Sequence, residues 1–176
     1  MEQMLRRTWA EIDLDDLTHN FKTLQQRVGE KTKIVGVVKA DAYGHGALQI
    51  SRALEELGAG YLAVSNLDEA RELRTAGISM SILILGHTPE QYVPQLLEYN
   101  ITQAVTCEAK ALAYNNMAKA CGGKLRVHIK ADTGMSRLGF LCADGHFEAG
   151  VEGILRSCEL PYLDAEGIFT HFAVSD

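Results

Sequence analysis

Apolar and polar positions along the chain follow two alternating patterns. Six short, mostly apolar runs, several of them rich in β-branched residues, are typical of buried parallel strands. They span residues 34–39, 61–64, 81–85, 101–105, 125–130 and 165–170. Between these runs, apolar residues recur at helical spacing, as in the stripe of Ala47, Ile50, Leu54 and Leu57, and predict amphipathic helices. This alternation of strands and helices favours a parallel α/β fold.

The first part of the chain carries a different pattern. Polar and apolar side chains alternate from Thr8 to Leu14, which predicts a strand with one solvent-facing side. Asp15 or Asp16 is expected to cap the helix that follows, because a carboxylate accepts hydrogen bonds from the free amides at a helix start. Later in the chain, helices are predicted over residues 108–120 and 147–158.

Two architectures accommodate this pattern, an open doubly wound sheet and a closed (β/α)8 barrel. The dinucleotide-binding fingerprint is absent, since the segment from Gly44 to Gln49 has Gln where the third glycine belongs, and the sequence has no Walker A loop. We therefore predict an α/β fold that is a partial (β/α)8 TIM barrel, with about six of the eight strand–helix units present. On this basis we expect the sequence to be the front part of a longer polypeptide.

Composition narrows the possible functions. The 176 residues are 47% hydrophobic and 23% charged, and a net charge of −6 gives no support to nucleic-acid binding. No apolar run reaches the ~20 residues of a membrane helix, and no apolar segment follows Arg6 and Arg7 as in a secretory signal. The four cysteines are widely spaced without a Cys-x-x-Cys pair, so we predict neither a metal site nor a disulfide framework. A reducing cytoplasm is the simplest setting.

Two lysines occupy equivalent positions in two of the predicted strands. Lys39 and Lys130 each end an apolar run, each precede Ala-Asp, and each are followed by glycine within a few residues. Parallel α/β folds place their chemistry at this carboxyl end of the strands. An amine in apolar surroundings is more readily neutral, and a neutral amine is the nucleophile that condenses with a carbonyl compound. Lys39, which follows only apolar residues and glycine in its strand, is the stronger candidate for covalent catalysis.

Four segments, in order along the chain, resemble the alanine racemase family. Residues 37–46, Val-Val-Lys-Ala-Asp-Ala-Tyr-Gly-His-Gly, are similar to the pyridoxal-phosphate lysine motif of that family. Residues 128–140, His-Ile-Lys-Ala-Asp-Thr-Gly-Met-Ser-Arg-Leu-Gly-Phe, also resemble it, as do residues 8–14 and residues 167–173. The resemblance extends over essentially the whole chain but corresponds to the front half of a family member.

The resemblance implies a barrel that binds pyridoxal 5'-phosphate, joined to a β-rich carboxyl-terminal domain in a homodimeric enzyme. Residues 1–14 are then expected to contain a strand that packs with the carboxyl-terminal domain, and residues 15–176 to form the truncated barrel. Lys39 is implied to form the Schiff base and to act as one of two acid/base groups, while the cofactor serves as an electron sink. The second base is implied to be a tyrosine of the partner's carboxyl-terminal domain, for which this sequence has no counterpart.

The same resemblance assigns further site residues. Tyr43 is implied to contact the cofactor phosphate. Arg137, whose forked donors suit oxyanions, is implied to bind both the cofactor's phenolate oxygen and the substrate carboxylate. His171 is implied to pack beside the pyridine ring without transferring protons. On the residues alone, Asp41 and Asp132 are expected to hold turns through hydrogen bonds from side chain to backbone.

Lys130 presents an electrostatic problem, because its expected neighbour Arg137 is also a cation. Two positive charges about 4 Å apart repel by ~4 kcal/mol at an effective dielectric constant of about 20. In many members of the family the matching lysine carries a carbamate, which replaces the repulsion by attraction. We therefore predict that Lys130 is an N6-carboxylysine.

The resemblance favours an isomerase that interconverts L- and D-alanine for peptidoglycan synthesis in the bacterial cell wall. A serine racemase of the same family is the nearest alternative, so the substrate is alanine or serine. A non-catalytic barrel that carries pyridoxal phosphate is a further alternative, although such proteins lack the Ala-Asp-Ala-Tyr-Gly-His-Gly segment of residues 40–46. The 176 residues by themselves are expected to be inactive, since the second base lies outside them.

Overall fold

The computed structural model describes residues 8–143 and 145–174. The helices are α1 (Leu14–Val28), α2 (Lys39–Gly44), α3 (Ala47–Glu56), α4 (Leu67–Thr75), α5 (Val93–Glu98), α6 (Glu108–Ala120) and α7 (Phe147–Cys158). The strands are β1 (Val35–Val37), β2 (Tyr61–Val64), β3 (Ile82–Ile84), β4 (Thr102–Val105), β5 (Leu125–Asp132), β6 (Phe140–Leu141) and β7 (Leu163–Phe169). A short 3-10 helix, Glu90–Tyr92, directly precedes α5. Within this part of the chain, every helix is too short or too polar to span a bilayer.

The strands form one parallel sheet. Parallel pairing connects β1 to β2, β2 to β3, β3 to β4, β4 to β5 and β5 to β7. The short β6 adds to the end of β5, where Ala131 and Asp132 pair with Phe140 and Leu141. Helices separate the successive long strands, so the sheet contains six strands of an eight-stranded barrel in barrel order. The predicted partial barrel is confirmed.

Alternate residues of each strand face two different environments. In β2, Leu62 and Val64 are fully buried in the hydrophobic core between the sheet and the helices. Tyr61 and Ala63, on the opposite face of the same strand, line a cavity on the inner side of the sheet. The core continues along the outer face through buried residues of the neighbouring strands, which include Ile82, Ile84, Val105, Val127 and Ile129. Side chains that face inward are therefore the ones available for chemistry.

The sequence predicted that strand β1 would be buried on both faces, but only its outer face is buried. Val35 and Val37 are 47% and 44% exposed, because they line the inner cavity instead of packing under a helix. The outward position between them is Gly36, which is buried. A Cβ atom at this position would clash with the Leu54 side chain of α3, so the absence of a side chain allows the helix to approach β1 closely.

The segment before α1 is not the predicted strand. Residues 8–13 have no regular secondary structure, and α1 begins directly after them. Asp13, rather than Asp15 or Asp16, caps this helix, since its Oδ1 accepts hydrogen bonds from the amides of those two residues at 2.8 Å and 3.3 Å. An alternating segment becomes a strand only where another strand pairs with it, and none does so within the described residues. Residues 1–7 of the predicted amino-terminal segment lie outside them.

Most other boundaries follow the sequence pattern. The bounds of β2, α6 and α7 are those predicted. Two elements were not predicted. Strand β6 has only two residues, too few to show a period, and α2 is a single turn of unusual conformation, described below.

Candidate active site

A cavity of about 490 Å³ lies on the inner side of the sheet, toward the carboxyl ends of the strands. The structure brings together all five site residues predicted from the sequence, because Lys39, Tyr43, Lys130, Arg137 and His171 all line this cavity. Its other lining residues are mostly apolar: Val35, Val37, Tyr61, Ala63, Leu83, Leu85, His128, Leu138, Ile168 and Phe169. Apolar walls with a few polar groups, in a space of this size, are typical of small-molecule sites.

Lys39 lies two residues beyond the end of β1, at the start of the left-handed turn α2. Ala40, Asp41, Ala42 and Tyr43 all have positive φ angles, between 51° and 56°. The left-handed conformation costs an L-residue about 1–2 kcal/mol, so four such residues in succession need support from their surroundings. The turn brings Tyr43 beside the lysine, whose Nζ is 5.8 Å from the centre of the tyrosine ring. The Lys39 side chain is partly buried.

Two carboxylates hold this turn. Asp41 Oδ1 accepts a hydrogen bond from the amide of Ala47, the first residue of α3, at 2.6 Å. Glu69 of α4 accepts the amide of Ala40 through its Oε1 at 2.9 Å. The role predicted for Asp41, holding a turn through a hydrogen bond between its side chain and the backbone, is confirmed. Glu69 was not predicted, because 29 residues separate it from the amide that it binds.

Arg137 lies in a loop between β5 and β6 that Asp132 closes. The buried Asp132 carboxylate accepts hydrogen bonds from the amides of Ser136 and Gly134 at 3.0 Å and of Arg137 at 2.9 Å. These bonds hold the pKa of the Asp132 carboxyl below its usual value. The turn-holding role predicted for Asp132 is therefore confirmed, and it places the Arg137 side chain at the cavity wall.

His171 follows the carboxyl end of β7 and is tied to the Arg137 loop through its neighbour. The hydroxyl oxygens of Thr133 and Thr170 are 2.7 Å apart, within hydrogen-bond distance. Thr133 begins the loop that carries Arg137, and Thr170 directly precedes His171. The hydroxyl pair thus joins the two segments that present a guanidinium and an imidazole to the same cavity.

Lys130, near the end of β5, is buried and lines the cavity. Its Nζ lies 5.0 Å from the centre of the Phe169 ring. Burial lowers the pKa of the Lys130 ammonium, and the positive charge of Arg137 lowers it further, whereas Asp132 acts in the opposite direction. The positive charge of Arg137 therefore acts on Lys130, as predicted, and the Lys130 ammonium loses its proton more readily than an ordinary lysine does.

A second polar group on the inner side of the sheet was not predicted. Glu166 of β7 accepts hydrogen bonds from the Tyr61 hydroxyl at 2.5 Å and from Thr102 Oγ1 at 2.9 Å, and lies 3.8 Å from His128 Nε2. Burial raises the pKa of Tyr61 and lowers the pKa of His128. Since Tyr61 and His128 line the cavity, the cluster around Glu166 contributes polar side chains to the cavity wall. The available sequence signal was strand alternation, which places His128 on the same face as Lys130.

The chemistry of these side chains fits pyridoxal phosphate. Lys39 offers an amine for an aldehyde, while Arg137 and Tyr43 offer hydrogen-bond donors to the anionic oxygens of a phosphate or phenolate. Ile168 and Phe169 provide apolar surface for an aromatic ring. The cavity therefore presents groups that suit the aldehyde, the anionic oxygens and the aromatic ring of the cofactor.

Comparison with known proteins identifies the family. The family model described as "Alanine racemase, N-terminal domain" matches residues 12–176. The alanine racemase of Clostridium perfringens (strain SM101) is 46% identical over 176 residues, which make up 100% of this chain and 44% of that protein. The alanine racemase of Methanococcus maripaludis is 42% identical over 168 residues, 96% of this chain and 44% of that protein. The chain thus spans less than half the length of these curated relatives.

Solved structures agree with the sequence matches. The alanine racemase of Clostridium difficile 630 in complex with cycloserine has a TM-score of 0.88 at 41% identity, covering 98% of this chain and 46% of that one. The alanine racemase of Bacillus anthracis with bound L-Ala-P has a TM-score of 0.83 at 33% identity, covering 97% of this chain and 43% of that one. By sequence and by fold, therefore, the chain belongs to the alanine racemase family, whose N-terminal domain it matches.

Proposed function

We propose that this chain is the cofactor-binding part of a pyridoxal-phosphate-dependent alanine racemase, an isomerase that interconverts L- and D-alanine. The observation that supports this most directly is the arrangement of Lys39, Tyr43, Lys130, Arg137 and His171 around one cavity. The family supports alanine as the substrate, since the relatives compared above are alanine racemases. D-Alanine formed in this way would serve peptidoglycan synthesis.

Lys39 has the central role in this proposal. When bound, the cofactor is linked covalently to a lysine amine and, by withdrawing electrons, makes the α-proton of an amino acid labile. We assign the attachment to Lys39, which lines the cavity just beyond the carboxyl end of β1. The Lys39 amine would also remove or return the α-proton on one face of a bound substrate.

Three further residues are assigned to binding. Arg137 is permanently charged, so it binds the substrate carboxylate and the phenolate oxygen of the cofactor through its forked donors. Tyr43 donates its hydroxyl to the phosphate. His171 packs beside the ring of the cofactor and orients it without taking part in proton transfer.

Inversion at the α-carbon needs a proton to leave from one face and another to arrive on the opposite face. A second acid/base group must therefore face Lys39 across the substrate. We assign this second group to a tyrosine of the partner's carboxyl-terminal domain in a cytoplasmic homodimer. In this arrangement residues 15–176 form the cofactor-binding barrel, and the segment before them packs on the carboxyl-terminal domain. The 176 residues alone would then bind the cofactor without racemising alanine.

Cofactor capture by the 176-residue chain tests the assignment of Lys39. The chain is mixed with pyridoxal phosphate, treated with borohydride and digested, and the labelled peptide is identified by mass spectrometry. We expect the label on Lys39 and its loss in Lys39→Ala. Lys31→Ala is the matched control, since Lys31 is an exposed lysine outside the cavity. A label that stays on another lysine in both variants would contradict the proposal.

Catalytic competence needs a separate experiment. We propose a chimera in which this chain replaces the matching part of the Clostridium difficile alanine racemase, which it resembles with a TM-score of 0.88. The chimera is expected to convert L-alanine to D-alanine, whereas the same chimera with Lys39→Ala is expected to be inactive. The Lys31→Ala chimera should remain active. If it were as inactive as the Lys39→Ala chimera, the loss of activity would not be evidence for a catalytic role of Lys39.

Carbamylation of Lys130 is the remaining part of the proposal. The lowered pKa of Lys130 supports it, because carbon dioxide reacts with the neutral amine and the product is an anion beside Arg137. Native mass spectrometry in bicarbonate buffer should show the added mass of one carbon dioxide on the chain. Lys130→Arg, which keeps a cation but cannot form the carbamate, should lack that mass. A bare Lys130 amine at neutral pH with carbon dioxide present would exclude the modification.

A further inference from the structure

The carboxylate of Glu69 connects two parts of the fold that are distant in sequence. Its Oε1 accepts the amide of Ala40, the residue directly after Lys39, at 2.9 Å. Its Oε2 accepts hydrogen bonds from the amide and the hydroxyl of Ser65, directly after β2, at 2.7 Å and 2.8 Å. Both oxygens are thus occupied by hydrogen bonds to an ionised acceptor, which are stronger than bonds between neutral groups. These bonds outweigh burial and hold the pKa of the Glu69 carboxyl below its usual value.

The position of Glu69 in α4 explains its bonds to Ser65 as helix capping, but it does not explain its bond to Ala40. Asn66 caps α4 by accepting the amide of Glu69 at 3.0 Å, which puts Glu69 at the third helical position. A glutamate at this position usually returns its carboxylate to an amide at its own helix start. Oε2 makes such a local contact at Ser65, but Oε1 leaves the helix and reaches the turn after β1. The second contact serves that turn.

The contact from Glu69 supports the first left-handed residue of the turn. Ala40 has φ 51° and ψ 52°, a conformation that an alanine does not favour, and it directly follows Lys39. The bond from Ala47 to Asp41 supports the following part of the turn. The Ala40 amide donates its hydrogen bond to Glu69. Loss of this bond would leave Ala40 free to return to an ordinary φ angle. Because Lys39 is the adjacent residue, the direction of its side chain would change with it.

We propose that Glu69 is a positioning residue for Lys39. By fixing Ala40 in the left-handed conformation, its carboxylate sets the place of the Lys39 amine in the cavity, beside Tyr43. The inference takes the chemical importance of Lys39 from the proposed function, whereas the contact between Glu69 and Ala40 is independent of it.

The surroundings of Glu69 provide both a usable variant and a control. Glu69 lines a cavity of about 270 Å³ on the helix side of the sheet, together with Asp41 and Glu72. Water can therefore enter beside a truncated side chain, which limits the loss of stability in Glu69→Ala. Glu72 lies on the same helix, lines the same cavity and carries the same charge, but it is exposed and makes no side-chain hydrogen bond within the described residues. Glu72→Ala is the matched control.

Amide hydrogen exchange of the full chain without cofactor gives the first measurement. In Glu69→Ala, the Ala40 amide should exchange about tenfold faster or more, since it loses a hydrogen bond to a charged acceptor. In Glu72→Ala its exchange should stay at the wild-type rate. Glu69→Gln should restore much of the protection, because the carboxamide oxygen can still accept the Ala40 amide. An unchanged Ala40 rate in Glu69→Ala would overturn the inference.

The position of the amine is measured separately by NMR on reductively methylated protein. The Lys39 methyl groups should show a nuclear Overhauser effect to the Tyr43 ring, given the 5.8 Å between Nζ and the ring centre. This signal should disappear in Glu69→Ala and persist in Glu72→Ala. If it persists in both while Ala40 exchanges faster, Glu69 supports the turn but does not position Lys39, and the inference fails. Failure of wild-type protein to capture pyridoxal phosphate at Lys39 would instead contradict the proposed function and leave these two measurements valid.

Discussion

The Asp132 carboxylate determines the pH range in which the Arg137 loop is ordered. Its pKa is lowered in the fold, so its contribution to stability is fully present above the unfolded value of ~3.9 and is lost as pH falls through the folded value. We expect the amides of Ser136, Gly134 and Arg137 to lose protection, relative to their intrinsic exchange rates, only in that acidic range, which pH-dependent hydrogen exchange measures. In Asp132→Asn the loop should be less protected at neutral pH, and the acid-dependent step should disappear. An acid-dependent step that survives in Asp132→Asn would assign it to another group.

Gly139 ends the Arg137 loop where no side chain fits. Its φ angle is 125°, and a Cβ atom there would lie 2.7 Å from the carbonyl oxygen of Lys130 and 2.8 Å from the amide nitrogen of Asp132. Gly139→Ala should therefore lower the free energy of unfolding by about 2–4 kcal/mol, measured by urea denaturation. Gly122→Ala is the control, because Gly122 also has positive φ but no atom of the described residues lies within 4 Å of the added Cβ. Its loss should be only about 1 kcal/mol, and equal losses would show that the contact with β5 is unimportant.

The residues of the candidate site differed in how far the sequence could predict them. Lys39 and Arg137 lie within continuous motifs, so a local pattern was sufficient. Glu69 and Glu166 act through contacts with residues far away in sequence, and a carboxylate on a helix or strand has no local feature that distinguishes such a role from a solvated one. Physical reasoning without a fold identifies the groups that carry chemistry more readily than the groups that hold them.

At the scale of elements, Arg74 joins the amino-terminal ends of two strands to α4. Its guanidinium donates hydrogen bonds to the carbonyl oxygens of Ile78 and Met80, before β3, at 2.8 Å and 2.7 Å. It also donates to those of Tyr99 and Asn100, before β4, at 2.9 Å and 3.2 Å. In a barrel of this type, the amino-terminal side carries stability and the carboxyl-terminal side carries chemistry.

Arg74→Ala should accordingly destabilise the fold without altering the site. We expect the free energy of unfolding to fall by about 2–4 kcal/mol, because four carbonyl groups lose a charged donor. Arg71→Ala is the control, since Arg71 lies on the same helix and its side chain makes, among the described residues, only an exposed ion pair with Asp68, worth at most ~0.5 kcal/mol. Borohydride labelling of Lys39 at a temperature where both variants are folded should match the wild type. Impaired labelling in Arg74→Ala would show that the two ends of the sheet are coupled.

The sequence pattern predicted the elements best where helix and strand periods were long or flanked by glycine. Helices α6 and α7 are long, each has a glycine near one end, and both were predicted at their observed bounds. Residues 8–13 alternate like a strand but lack a pairing strand in the described structure, and pairing is a tertiary property that no single segment contains. The left-handed turn α2 runs through two alanines, whose intrinsic preference opposes it, so tertiary contacts overrode local propensity there.

At the scale of the whole molecule, the inner face of the sheet is accessible. Val35, Val37 and Ile168 are 47%, 44% and 61% exposed although they line the cavity. Within the described residues, β1 pairs only with β2 and β7 pairs only with β5, so each presents one unpaired edge. Exposed edges and apolar surface together favour association with other chains.

We therefore expect the 176-residue chain to self-associate as its concentration rises, measured by sedimentation velocity. Combining Val35→Lys with Ile168→Lys should shift the equilibrium toward the monomer, because a charged side chain at each inner edge opposes strand pairing and apolar contact. Leu112→Lys is the control for the added charge, since Leu112 is 46% exposed on α6, outside the cavity. Association unchanged by the paired substitutions but reduced by Leu112→Lys would move the contact to the helical surface. A wild-type chain that stays monomeric at every concentration would show that inner-face exposure and open edges are insufficient for association.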